Sequence, residues 1–208
     1  KVKFTIGGLD ISKQFEVVAP DTFLFSGNDT LSAGKSDTLK ITVGKSGTTL
    51  GTITIEGSVY LNDMISGQII KSSTTGIIVQ SPAQLKIEYV RTSQPEVTVG
   101  QAFPWKTIVA LTNSGGSDLT IDSTQAKNFI SFPGDTKFVV TPPAGFYDSH
   151  NFILNAGNTD SLFFRIDTTG NLAGTRQIQA RIISKEINSH RNISIQKNAA
   201  IKVELPAH

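Results

Sequence analysis

The stretch Leu31-Ser-Ala-Gly34-Lys-Ser-Asp37-Thr-Leu39 returns as Leu154-Asn-Ala-Gly157-Asn-Thr-Asp160-Ser-Leu162, 123 residues further along the chain. At the same offset Phe15 meets Phe138, Val17 Val140, Pro20 Pro143, Phe23 Phe146, Gly51-Thr52 Gly174-Thr175 and Ile55 Ile178. The match needs no gap from Phe15 to Ser66, with roughly three in ten positions identical, and a match at fixed period marks a modular array.

Inside each copy the apolar residues fall at every second position. Leu39, Ile41 and Val43 alternate with Thr38, Lys40 and Thr42; the later copy has Leu162, Phe164 and Ile166 interleaved with Phe163, Arg165 and Asp167. Ile55, Gly57 and Val59 correspond to Ile178, Ala180 and Ile182. A period of two puts these side chains on one face of a strand. Matching inward positions with differing outward ones describe two packed sheets around a buried interior. The turn clusters Asn28-Asp29, Ser46-Gly47, Asn113-Ser-Gly-Gly-Ser117 and Thr169-Gly170-Asn171 separate the runs at roughly ten-residue spacing, as in a β-sandwich. One short helical turn is expected around Ser123 to Asn128. The fold class is therefore all-β, with two tandem β-sandwich modules.

Composition supports this. The chain has 208 residues, 38% of them hydrophobic and 17% charged, with 18 Gly and 8 Pro. That length accommodates two ordinary domains. A net charge of +2, spread along the chain, does not point to nucleic acid. The absence of cysteine excludes disulfides, thiolate metal sites and thiol nucleophiles. No apolar run approaches the ~18 residues of a membrane-spanning helix.

The copies differ in length. The best boundary falls near Arg91 to Pro95, giving modules at 1–91 and 92–208, with a strand over Ala83 to Val90 closing the first. Leu85, Ile87 and Tyr89 are then matched to Ile201, Val203 and Leu205. The second module opens with residues 95–123, including the strand-like Trp105 to Thr112. The first has no counterpart, because Lys1 aligns with Thr124. It lacks the opening strands of the repeat, and its missing edge is expected to come from Lys1 to Ile6, from upstream chain or from another molecule. Between Ser66 and Ala83 the first copy is expected to carry about seven extra residues in a longer hairpin, by the alignment at fixed offset. That hairpin holds Ile69, Ile70, Ile77 and Ile78, the candidate contacts for a protein partner.

Little points to chemistry. Gly34-Lys35-Ser36 and Gly44-Lys45-Ser46 lack the earlier glycine and following helix of a phosphate loop. His150, His190 and His208 have no metal-ligand spacing, and adjacent Asp148-Ser149-His150 cannot adopt triad geometry. Asp63 and Glu186 recur in equivalent loops, where Ca²⁺ would be the cation to consider; one carboxylate per copy falls short of its six or more oxygens, so no cofactor is implied. Asp37 and Asp160, just before a strand, are expected to cap turns. Trp105 and Tyr147 are the candidates for a sugar-stacking platform, with Trp105 as a core plug the plainer alternative.

Val97-x-x-Gly100-Gln101-x-Phe103, a strand ending in Asn113-Ser-Gly-Gly, Leu154-x-Ala-Gly157 and Ala199-x-Ile201-x-Val203 together resemble the immunoglobulin-like repeats of bacterial surface proteins, including the cell-adhesion-related type. That resemblance implies two tandem immunoglobulin-like sandwiches, a secreted or cell-surface location and a non-enzymatic role as stalk, spacer or assembly module. It carries no binding residues with it. The partner would be another protein or neighbouring repeats, with homo-assembly included. A filament subunit joined by β-strand complementation, and a carbohydrate-binding region of a secreted hydrolase, are the alternatives.

Overall fold

The computed structural model describes residues 1–63, 67–101 and 103–207, the side chains of Asp63 and Ile69 excepted. The protein is almost entirely β, as the alternation predicts. Two compact units are present, Lys1–Gln80 and Ser81–His208.

The second unit has strands β7 (Leu85–Thr92), β8 (Glu96–Thr98), β9 (Trp105–Asn113), β10 (Leu119–Ile121), β11 (Ile130–Ser131), β12 (Val139–Thr141), β13 (Ile153–Leu154), β14 (Thr159–Thr168), β15 (Gly174–Glu186) and β16 (Asn192–Glu204). One sheet runs β12-β14-β9-β7 and the other β13-β10-β15-β16-β8, with β8 parallel to β16. Taking β7, β9, β10, β12, β14, β15 and β16 as strands A to G, these sheets read D-E-B-A and C-F-G. That is the constant-type immunoglobulin arrangement. The inward residues of both sheets form one core around Trp105, Val109, Leu111, Leu162, Phe164, Ile166, Ile178 and Ile182. Each large aliphatic or aromatic side chain shut away from water there contributes about 1.5–3 kcal/mol. The helical turn expected near Ser123 is a 3₁₀ segment, Ser123–Asn128, capped by Asp122, which accepts from the Thr124 amide.

The first unit has β1 (Val2–Ile6), β2 (Leu9–Asp10), β3 (Glu16–Val18), β4 (Thr42–Lys45), β5 (Gly51–Asp63) and β6 (Gly67–Val79). They form a sheet β2-β1-β5-β6 and a two-stranded ribbon β3-β4. Its core is small: Phe4, Ile11, Phe15 and Ile53, with Val2, Ile6, Val17, Ile55 and Val79 partly covered against it.

The sequence repeat is also a repeat of geometry. Glu16 pairs with Lys45, Val17 with Val43 and Val18 with Thr42; Val139 pairs with Thr168, Val140 with Ile166 and Thr141 with Arg165. Both ribbons shift register at the same step. Phe4 stacks on Phe15 at 4.0 Å, and Phe132 on Phe138 at 3.8 Å. Gly34 and Gly157 share a left-handed backbone, φ 71° and 75°, which explains why the Leu-x-Ala-Gly motif ends in glycine.

Three expectations change. Leu85–Thr92, the strand expected to close the first module, pairs instead with Trp105–Asn113 in the second unit. The first unit ends on β6, which pairs with β5 as β16 pairs with β15; all four strands are thirteen residues long. Register places Val79 where the other unit has Val203, and Ile77 where it has Ile201. The hairpin strands are thus no longer in one copy than in the other. A closing strand with apolar residues at alternate positions fits Leu85-Ile87-Tyr89 as well as Ile77 and Val79, so the pattern alone misplaced it. Finally, Val2 faces Gly57 as Ile130 faces Ala180. Lys1 therefore does not correspond to Thr124; the turn at Gly7-Gly8 between β1 and β2 lengthens this part of the first copy.

Candidate functional site

The site begins with a difference between two equivalent strands. β14 is ten residues long and β4 only four. Residues 159–164 of β14 pair with β9 alone, since β12 reaches only Arg165 to Thr168. Their counterparts, residues 36–41, are those missing from β4. A strand needs a hydrogen-bonding neighbour, and the first unit has none in the place of β9 among its described residues.

The side chains follow the backbone. Leu162, Phe164 and Ile166 are completely buried, whereas Ile41 and Val43 are 40% and 41% exposed and Leu39 is half-buried. β1 takes the place of β11 on β5, so Lys1 to Ile6 fills one part of the missing structure and leaves the B position vacant. Beneath it is a groove of about 510 Å³, lined by Val17, Pro20, Leu39, Ile41, Val59 and Tyr60 among others.

The ends of this edge are already shaped. Asp37 accepts from the amides of Phe25, Ser26 and Thr38 at 3.1, 3.0 and 2.6 Å. Asp160 does the same with Asp148, Ser149 and Ser161 at 3.2, 3.1 and 2.6 Å. Both acids cap the same turn, as expected. In the second unit the turn also grips β9: the Gly157 amide donates to Asn113, and the Asn113 amide to Asn158. Gly34 and Lys35 present the corresponding groups in the first.

The Ser26 side chain, followed by the Thr38, Phe25 and Ser26 amides, holds the Asp37 carboxyl down at about 2 against a desolvation penalty. A carboxyl lowered from 3.8 helps hold its turn above that pH and ceases to as pH falls through the native value. The Asp37 carboxyl-carbon NMR titration is expected to show a midpoint near 2, and a midpoint near 3.8 would show that the turn does not grip it.

The other sequence candidates lie elsewhere. Trp105 is 2% exposed, its Nε1 donates to Thr169 Oγ1 at 3.0 Å, and its ring meets Phe132 and Phe138 edge-on. It is the core plug and offers no sugar a stacking face. Tyr147 is exposed and stacks on Phe163 at 4.6 Å beside a cleft of about 610 Å³, so the two rings form no common platform. Ile70 and Ile78 are exposed at 54% and 70% on one side of β6, while Ile77, at a core-facing position, is 37% exposed. The Ile69 side chain lies outside the described residues, as does that of Asp63. Glu186 is buried and bound to the Ala83 amide, Ser189 and Arg191. No cluster of three metal-ligating side chains occurs among the described residues. His150 occupies a positive-φ turn, with Nδ1 2.9 Å from the Asp148 carbonyl oxygen.

The sequence points to a missing edge in the first copy but not to the residues that line it: Leu39-x-Ile41-x-Val43 is an inward stripe whose counterpart, Leu162-x-Phe164-x-Ile166, lies against Trp105–Asn113.

No protein-family model and no curated protein matches the chain. Among solved structures, AggA, the major subunit of aggregative adherence fimbriae type I from Escherichia coli, matches at 13% identity and TM-score 0.33, covering 59% of this chain and 96% of its own. Domains 1–6 of the surface layer protein SbsC match at 14% identity and TM-score 0.26, covering 100% of this chain and 28% of their own. SbsC domains 4 and 5 match at 14% and 0.23, covering 99% of each. These are weak superpositions, and the functional reading rests on the chain's own strands.

Proposed function

We propose that this chain is a non-enzymatic structural segment of a secreted or cell-surface prokaryotic protein, of the immunoglobulin-like, cell-adhesion-related kind. It serves as a stalk, spacer or assembly module in which the second unit is a self-sufficient sandwich and the first accepts an added strand. The observation that carries this reading is the contrast between residues 36–43 and 159–166: one turn, one bulge and one ribbon register, with the apolar stripe shut in one copy and open in the other. An open strand edge above an apolar face is a template for pairing.

Hydrogen exchange on the whole chain tests it. The amides of Leu39 and Ile41 are expected to exchange as unprotected backbone, while those of their counterparts Leu162 and Phe164, paired with β9, open only with global unfolding of their unit. A dye that binds exposed apolar surface is expected to bind the chain and to lose most of its signal in an Ile41→Asp variant. Equal protection of the two stretches, with no dye binding, would show that the first unit is already closed.

A further inference from the structure

We propose that the vacant edge at residues 36–43 takes up a separate extended strand, antiparallel to it, with apolar inward residues and an acidic residue opposite Lys40. This rests on the reading of the first unit as an acceptor and adds the chemistry and register of what it accepts.

Register follows from the repeat. β9 faces β14 with Leu111 opposite Asp160, Val109 opposite Leu162, Thr107 opposite Phe164 and Trp105 opposite Ile166. In the first unit the same places lie opposite Asp37, Leu39, Ile41 and Val43. The incoming strand therefore puts an apolar side chain over each of these, and its far end meets Gly34 and Lys35 as Asn113 meets Gly157 and Asn158. Ile41 is smaller than Phe164, so the residue opposite it has room for valine or isoleucine where β9 has Thr107.

Charge makes the outward side selective. Phe163 opposes Ile108, with Lys106 Nζ 5.6 Å from the Phe163 ring centroid. Lys40 stands in place of Phe163 with Lys35 five residues before it, while Lys45 already faces Glu16 across the β3–β4 ribbon. The acid within that stretch, Asp37, is already engaged by three amides. An opposite charge directly across the strands is favourable and a like charge is not.

A second folded copy of this chain does not meet these requirements. Its alternating strands β9 and β7 are paired with each other and bury Trp105, Val109, Leu111, Leu85 and Ile87 in the core. Donating either would open the second unit. The proposed occupant is an otherwise unpaired segment of a partner polypeptide, recognised by an acidic residue against Lys40.

The test uses the full 208-residue chain and a nine-residue peptide of the Trp105–Asn113 sequence carrying Thr107→Ile and Ile108→Glu. The same peptide with Ile108→Lys is the charge control, and Val109→Asp the apolar control. Fluorescence anisotropy is expected to show binding of the glutamate form about fivefold tighter than the lysine form, the gap narrowing as salt rises. The Val109→Asp peptide is expected not to bind. Because the chain has no cysteine, a Thr38→Cys chain and an Ala110→Cys peptide report register without background. They are expected to cross-link, and a Thr42→Cys chain is not.

Equal affinity for the glutamate and lysine peptides, cross-linking at Thr42→Cys instead, or self-association that shuts the groove without peptide would each overturn the proposal. If Leu39 and Ile41 exchange freely and no peptide binds, this partner is wrong and the acceptor reading stands. If they are protected in the chain alone, the acceptor reading itself fails.

Discussion

Phe164→Ala is expected to destabilise the second unit by about 3–5 kcal/mol, whereas Ile41→Ala, at the equivalent position, is expected to change the first by less than about 1 kcal/mol. Phe164 is completely enclosed between two sheets, so truncation removes its transfer free energy and leaves a cavity that the neighbours only partly fill. Ile41 already faces water over 40% of its surface and has no opposing strand to leave a cavity against. Urea unfolding followed by tryptophan emission isolates the second unit, because Trp105 is the one tryptophan of the chain and lies in that core. Amide exchange reports on the first unit, where Ile53→Ala is the positive control: Ile53 is fully buried in the small core with Phe4. A large loss at Ile41 would mean that its stripe is covered after all. If the groove is filled by a strand, the Ile41→Ala cost is expected to rise towards the cost at Phe164.

That asymmetry also explains which parts of the fold were legible in the sequence. Inward positions of β14 and β15 could be named because period-two alternation follows directly from the pleat, and the turns between them because Gly34, Gly157, Asp37 and Asp160 recur with their neighbours. These are local relations. The end of the first unit is not local: Leu85-Ile87-Tyr89 and Gly76 to Val79 both offer a plausible closing strand, and only pairing with Trp105–Asn113 assigns the former to the second unit. The isoleucines of β6 looked like one cluster because they are near in sequence, yet Ile77 lies at a core-facing position while Ile70 and Ile78 are on the outside. Trp105 could be read either as a platform or as a plug, because indole suits both; the partner for its Nε1, Thr169, is 64 residues away. The vacant edge required comparison of the two copies rather than either alone. Leu39-Ile41-Val43 reads as an ordinary buried strand until one asks what lies across from it.

The strand that begins the second unit suggests the other large effect: Glu186→Ala is expected to destabilise that unit by about 2–3 kcal/mol at neutral pH. Glu186 lies at the end of β15, and the strand enters β7 just after Ala83. The Ala83 amide donates to Glu186 Oε1 at 2.8 Å, and Arg191 Nη2 donates to the Ala83 carbonyl at 2.8 Å. Arg191 Nε reaches Glu186 Oε2 at 3.3 Å, and Ser189 donates to the same oxygen at 2.5 Å. Two side chains from the β15–β16 turn thus hold both backbone groups of one buried residue. Removing the carboxylate leaves the Ala83 amide without its acceptor and frees Arg191, which is half-exposed and regains water at little cost. The damage should therefore centre on residues 81–85, with faster amide exchange there before the rest of the unit responds. Burial raises the Glu186 carboxyl, but Ser189, the Ala83 amide and Arg191 together outweigh it and hold it below its ordinary 4.5. The native value being the lower one, the stabilisation is complete above 4.5 and disappears as pH falls through the native value. Glu186→Gln separates charge from geometry: its amide oxygen still accepts from Ala83, so the loss is expected to be smaller and independent of acidification. A Gln variant as unstable as the Ala variant, or wild-type stability flat from neutral to strongly acid pH, would remove the carboxylate from the account.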